Sequence, residues 1–402
     1  ASEDSELYKR WRAAGLITVA RTTTPEFGLL PVTEPETFGP TRTPWNLERT
    51  SGGSSGGAGA TIAARVVPMA SGGDGGGSIR IPAACNGVFG LKPTRGRTPS
   101  GDHASEHWNG FAIEHVLSMS VRDSAAALDA VEGIEATAPY HPPHHKGTWM
   151  AELEREPGVL RIGFSCDPAL PATVDPECVR AVEDVAKKLE ALGHRVEPVR
   201  PGYAPMELAR SFFTIIAANT GAEIRDAEKV VGRKATSRDF ETATWLSAQL
   251  GSVFTAQEVI SAIRHLQAES RRLVHRLGAY DVVLTPTLGK PPIPHGDIRP
   301  KGFEAKLQQL VARSGSSLPL RLPGLLEKTL ERVFNFVPFT PVANFTGQPS
   351  MNVPLYWSPD GLPIGTMFTA RFGDEATLFR LAAQLEQAHP WKGRIPPVNA
   401  AR

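Results

Sequence analysis

The chain has 402 residues, 41% of them hydrophobic, with 43 Lys and Arg against 42 Asp and Glu for a net charge of +1. That length and apolar share suit one large α/β domain or two smaller ones, and the balanced charge excludes a broad basic field for nucleic acid or a membrane surface. Three cysteines, Cys85, Cys166 and Cys178, leave one unpaired in any disulfide scheme and form no C-x-x-C pair, which points to a reducing, cytoplasmic setting. No signal peptide or membrane-spanning run is expected. The opening A-S-E-D-S lacks Met, so the native start is expected upstream.

In chain order, Ser5–Gly15 reads as a short helix and Leu16–Ala20 as a strand. Arg21–Thr50, rich in Thr, Pro, Glu and Gly without a period, predicts long loops over one face. Ala58–Met69 suits a buried helix and then a strand, Gly72–Gly77 a tight glycine loop, and Ser78–Asn86 the start of the next helix. Ser120–Gly133 is a capped helix, Ala138–Gly158 a Pro- and His-rich surface loop, and Val159–Phe164 a strand. Asp175 as N-cap and Pro176 at the first helical position open a helix through Leu192, with Val179, Val182, Val185, Ala186 and Leu189 at helical spacing. Arg195–Pro198 is the next strand, Leu208–Ala227 and Ala256–Leu277 are long helices, and Tyr280–Thr285 is a buried strand. Ser350–Trp357 and Leu362–Ala370 bracket P-D-G as a hairpin, and Glu375–His389 closes the chain as a helix. The alternation predicts an α/β/α layered domain with a central mixed sheet.

Two serines sit in glycine cradles: Ser54 in S-G-G-S-S-G-G-A and Ser78 in D-G-G-G-S-I-R-I-P-A. Glycines permit close approach and leave backbone amides free to face a substrate oxygen, as a catalytic serine and its oxyanion hole require. A flexible linker is the plainer alternative, but apolar segments such as I-A-A-R-V-V-P-M interleave with the glycines. Neither tract matches the phosphate-binding G-x-x-x-x-G-K-[ST]. A serine hydroxyl needs a base to become a nucleophile. Ser78 lacks a G-x-S-x-G setting and no histidine lies near either serine in sequence, although the chain has eleven; a serine–lysine system, in which a second serine can relay the proton, is the alternative to a histidine base. Asp74 and Arg80 read as a buried ion pair fixing the glycine loop. Cys85 reads as a small buried apolar residue and Trp45 as a packing residue. His141, His144 and His145 resemble a metal tract, but no acidic residue or cysteine completes a ligand set, so no metal is expected.

These motifs resemble the amidase signature family, serine hydrolases with a Ser–cis-Ser–Lys triad. The likeness extends upstream through T-T-T-P-E-F-G and F-G-P-T-R-T-P-W-N. Downstream it continues through G-L-K-P-T-R-G-R, F-T-G-Q-P-S-M-N-V-P-L and D-G-L-P-I-G. Within the family, T-E-P-E-T-F-G-P-T-R-T-P-W-N-L is most similar to the branch of 6-aminohexanoate cyclic-dimer hydrolases. The resemblance implies one amidase signature domain over residues 1–402, cofactor-free, acting on a small-molecule amide. It makes Ser78 the nucleophile and Ser54 the bridging serine in a cis peptide. The amides of Gly75, Gly76, Gly77 and Ser78 become the oxyanion hole, and Ser55 a support of the site. Gly28, Leu29 and Leu30 would line an apolar acyl pocket, with Ile216 where the branch carries a functional cysteine. The amidase subunit of a tRNA-dependent amidotransferase and a non-catalytic relative are the alternatives. A homodimer is left open.

One member of the implied triad is not found. The family lysine belongs to a Lys-Asp motif upstream of the bridging serine, and the only lysine before Ser54 is Lys9, on the amphipathic N-terminal helix. Lys92 matches a structural position of the family. The expectation is therefore a domain lacking its N-terminal part, with the catalytic lysine on a separate N-terminal fragment.

Overall fold

A computed structural model of the chain describes residues 4–100, 106–133, 135–314 and 324–400. The first helix, α1 (Glu6–Ala13), is capped by Ser5, whose hydroxyl accepts the Tyr8 N–H at 3.2 Å. The next residues form no strand. Leu16–Ala20 lies on the surface without regular structure, with Ile17 85% and Val19 74% exposed; β-branched residues favour a strand only where a neighbour completes the ladder. The segment read as featureless loop contains a hairpin, β1 (Arg42–Thr43) with β2 (Asn46–Thr50).

Then come α2 (Gly56–Ala63), β3 (Met69–Asp74), α3 (Arg80–Asn86), β4 (Phe89–Lys92), β5 (Ile113–Ser118) and α4 (Val121–Val131). Gly72 and Gly73 are not loop. They pair with His115 and Glu114 in the β3–β5 ladder, because the missing side chains leave room for Ser55 and Glu114 on either face. The Pro- and His-rich stretch holds a one-turn helix, α5 (Trp149–Glu152), anchored by the buried Trp149. β6 (Arg161–Phe164), α6 (Pro176–Ala191) and β7 (Arg195–Pro198) follow. The helical half is α7 (Pro205–Val231), α8 (Thr242–Val253) and α9 (Ala256–Leu277), then β8 (Val282–Pro286), α10 (Gly302–Ser314), α11 (Leu325–Phe334) and α12 (Pro341–Thr346). The chain ends with the antiparallel hairpin β9 (Ser350–Trp357) and β10 (Pro363–Ala370), and with α13 (Glu375–Ala388).

Eight strands form one mixed sheet in the order β3-β5-β4-β9-β10-β8-β6-β7, parallel only where β6 meets β7 and β8. The period of two along β10 separates the layers. Phe368 and Ala370 join the apolar cluster of α2, α4, α6 and α13, whereas Gly365 lies against Ala84 and Met367 against Arg80, both of α3. A second apolar cluster joins α7, α9 and α11. Helix α3 and its N-cap feed both, with Ile79 and Ala83 in the first and Ile81, Ala84 and Cys85 in the second. Among the described residues no helix is long and apolar enough to cross a membrane.

Candidate active site

Two irregular segments meet where β3 hands over to α3. The first, Thr50–Ser55, has a cis peptide between Gly53 and Ser54. Thr33 holds it: its Oγ1 donates to the Ser54 carbonyl at 3.2 Å and accepts the Gly56 N–H at 3.1 Å. The second, Gly75–Ile79, carries Ser78. The two are stitched by the Ser55 N–H, which donates to the Ser78 carbonyl at 3.3 Å.

Two glycines set the approach distances. Gly28, at φ +67°, lies against the Ser54 hydroxyl, and even a methyl there would come within 3.3 Å of Oγ. Gly77, at φ +126°, could carry no Cβ without colliding with Thr340. Thr340 in turn donates its hydroxyl to the Gly76 carbonyl at 2.7 Å, so the glycine run is held from the side facing α12.

Beneath the run lies a buried charge cluster. Asp74 and Arg80 are both 0% exposed and joined at 2.8 Å. The Asp74 carboxylate also accepts the Ile79 N–H at 3.2 Å and the Asn344 amide at 2.9 Å. Burial alone would raise the Asp74 carboxyl, but the Arg80 charge and the hydrogen bonds from Arg80 and Asn344 outweigh it and hold the group below the usual carboxylate range. The anion therefore fixes the loop that carries Ser78 through charge-assisted bonds. Lys92, 1% exposed, donates to the Pro93 carbonyl at 2.7 Å. Burial, then the nearby Arg80 charge, lowers its ammonium to about 7. Burial raises the Cys85 thiol, which is packed in the core.

Above the loop is a cavity of about 240 Å³. Gly28, Leu29, Leu30, Gly76, Ser78 and Ile216 all line it. The Ser54 hydroxyl is not in the lining but lies against Gly28, which is; Gly75 packs against Trp108, and Asp74 and Arg80 are fully buried. The remaining walls were not anticipated from sequence. They include Trp108, Leu246 and Leu250 of α8, and Leu330 and Phe334 of α11. The helical spacing of apolar residues in W-L-S-A-Q-L and L-L-E-K-T-L-E-R-V-F is the signal that could have found them. His145 lies elsewhere, stacked 4.0 Å from Trp149. Trp45 donates its indole N–H to the Asn86 carbonyl at 2.8 Å and packs edge-on against Trp357.

Comparison with known proteins places this arrangement. The 6-aminohexanoate-cyclic-dimer hydrolase of Pseudomonas sp. (strain NK87) is 34% identical over 401 residues, covering 98% of this chain and 78% of the relative. A solved structure of 6-aminohexanoate cyclic dimer hydrolase superposes with a TM-score of 0.87 at 33% identity, covering 99% of this chain and 80% of that one. A bacterial aryl acylamidase of the amidase signature family superposes with a TM-score of 0.82 at 25% identity, covering 98% of this chain and 77% of that one. With the family model for amidases matching residues 1–379 as well, the chain belongs to the amidase family.

Proposed function

We propose that the protein hydrolyses a carboxylic amide C–N bond of a small, apolar-acyl amide, with Ser78 as nucleophile and an acyl-enzyme intermediate. Ser78 Oγ attacks the carbonyl carbon and its proton passes by way of the Ser54 hydroxyl to the departing amine. Water then adds to the ester and releases the acid and Ser78. The amides of Gly75, Gly76, Gly77 and Ser78 receive the oxyanion. The observation that carries this reading is the position of Ser78. It opens onto a largely apolar cavity shared with Gly76, Leu29, Leu30 and Ile216, and Gly28, another lining residue, lies against the Ser54 hydroxyl.

The base that would hold the proton on its way from Ser54 to the amine in this reading is the family lysine, which would have to come from a segment other than the described residues. Among the described residues no lysine lines the cavity, Lys92 is turned to Pro93 and Lys9 is on the exposed side of α1. A fluorophosphonate probe tests the nucleophile: it should label Ser78 in the protein supplemented with a lysine-bearing N-terminal segment and fail with Ser78→Ala. No labelling at Ser78 with that segment present would sink the hydrolase reading. The intact mass of the natively expressed protein tests the origin of the lysine, which requires mass beyond 43.2 kDa or a second small polypeptide.

A further inference from the structure

Trp108, Asn109 and Gly110 take consecutive left-handed conformations, at φ +50°, +56° and +76°. Only two other non-glycine residues among those described have a positive φ, Phe27 and Arg65. A bulky residue is strained there, so the surrounding structure must hold it. The turn is closed by the Gly110 and Ala112 N–H groups, which donate to the His107 carbonyl at 3.1 and 3.3 Å. Two side chains one turn apart on α7 hold its tip. Asn219 Nδ2 donates to Asn109 Oδ1 at 3.1 Å, and Glu223 Oε1 accepts the Trp108 indole N–H at 3.3 Å.

The strained turn sets the place of the ring. The indole borders the cavity together with Ser78 and Gly76. Its six-membered ring faces Gly75, where a Cβ would stand 2.8 Å from Cε3 and 3.0 Å from Cζ3. The neighbours of Gly75 are tied by hydrogen bonds. The carbonyls of Asp74, Gly76 and Gly77 accept from Asn344, from Thr340 and from the Ile81 N–H, each at 2.7 Å. At Gly75 the indole fills the space into which a residue without a side chain could turn. An oxyanion hole works because its donors are fixed before the reaction, and strain kept at a site marks a position that function requires. We propose that Trp108 is a positioning residue for the oxyanion hole: its ring fixes Gly75 and so aims the amides of Gly75 and Gly76, while Glu223 and Asn219 of α7 fix the ring. The proposal rests on the reading of Gly75–Ser78 as the oxyanion hole. Trp108 acts through Gly75 and takes no part in bond making.

Labelling by the fluorophosphonate probe tests this. Ser78 Oγ bonds phosphorus, fluoride leaves, and charge gathers on the phosphoryl oxygen as it would on an amide oxygen. The rate at saturating probe therefore reads the hole, and the half-saturating concentration reads binding in the cavity. In the protein supplemented with the lysine-bearing N-terminal segment, Trp108→Ala should lower the saturating rate about 10- to 100-fold. Its half-saturating concentration should stay within about twofold of the parent. Trp108→Phe, which keeps a ring against Gly75, should recover most of the rate. Glu223→Leu leaves the ring in place but frees it, and should lower the saturating rate about fivefold. Glu223→Gln, which keeps an acceptor for the indole, should match the parent. The proposal is overturned by a parent-like saturating rate in Trp108→Ala or Glu223→Leu, or by a loss that lies in the half-saturating concentration alone. Trp108→Phe no faster than Trp108→Ala, or Glu223→Gln as slow as Glu223→Leu, would overturn it too. Should Trp108→Ala fail to fold, the two Glu223 variants decide. Absence of labelling in the parent is a separate result, which removes the hydrolase reading and this proposal with it.

Discussion

The loop that carries Ser78 and the far wall of the cavity are built by opposite means. The loop is local. Its glycines, Asp74, Arg80 and the two serines lie within one stretch of chain and leave almost no free volume, since a Cβ at Gly77 already collides with Thr340. The wall is assembled from Trp108, α7, α8, α10 and α11, whose side chains touch only through the fold. The loop tolerates little because backbone positions are what it supplies. The wall is a packing surface in which volume matters more than identity.

The sharpest way to break this contrast is Ser78→Ala. On any amide the protein turns over, the rate should fall by about 10⁴-fold or more, with the unfolding transition unchanged. A smaller loss would move the nucleophile off the loop. Asp74→Asn comes next. It removes the countercharge of a fully buried Arg80 and should cost about 3–5 kcal/mol in denaturant unfolding. A cost under 1 kcal/mol, well below the range for breaking a buried pair, would mean that the loop does not depend on its charge cluster. On the wall, Ile216→Ala should change kcat/KM by only about tenfold, lowering it for short acyl chains and raising it for bulkier ones. An equal loss for all substrates would show that the wall positions the reacting atoms.

The last test is a pH dependence. The Lys92 ammonium titrates near 7 when folded and at about 10.4 when unfolded. Between those values the unfolded chain binds the extra proton, so this group's contribution makes stability rise with pH and fall again as pH drops toward 7. The slope of unfolding free energy from pH 7 to 9 should flatten in Lys92→Met, and an unchanged slope would place the titration elsewhere.

The same contrast governs how much could be read in advance. The Ser54 and Ser78 cradles, the Asp74–Arg80 pairing and the hairpin around P-D-G are legible because each lies in consecutive residues with strong backbone demands. The strand expected at Leu16–Ala20 fails for want of a neighbour, and the loop expected over Gly72–Gly77 starts only at Gly75 because Gly72 and Gly73 find one in β5. In both cases a distant partner outweighs local preference. Trp108, α8 and α11 share the cavity for reasons that no single window of sequence contains.

Helix α3 belongs to both apolar clusters, with Ser78 two residues before its first. Neither half of the molecule can then loosen alone without disturbing the seat of Ser78, the proposed nucleophile. Loss of activity in mild denaturant should track global unfolding rather than precede it, so residual activity becomes a direct gauge of the folded fraction.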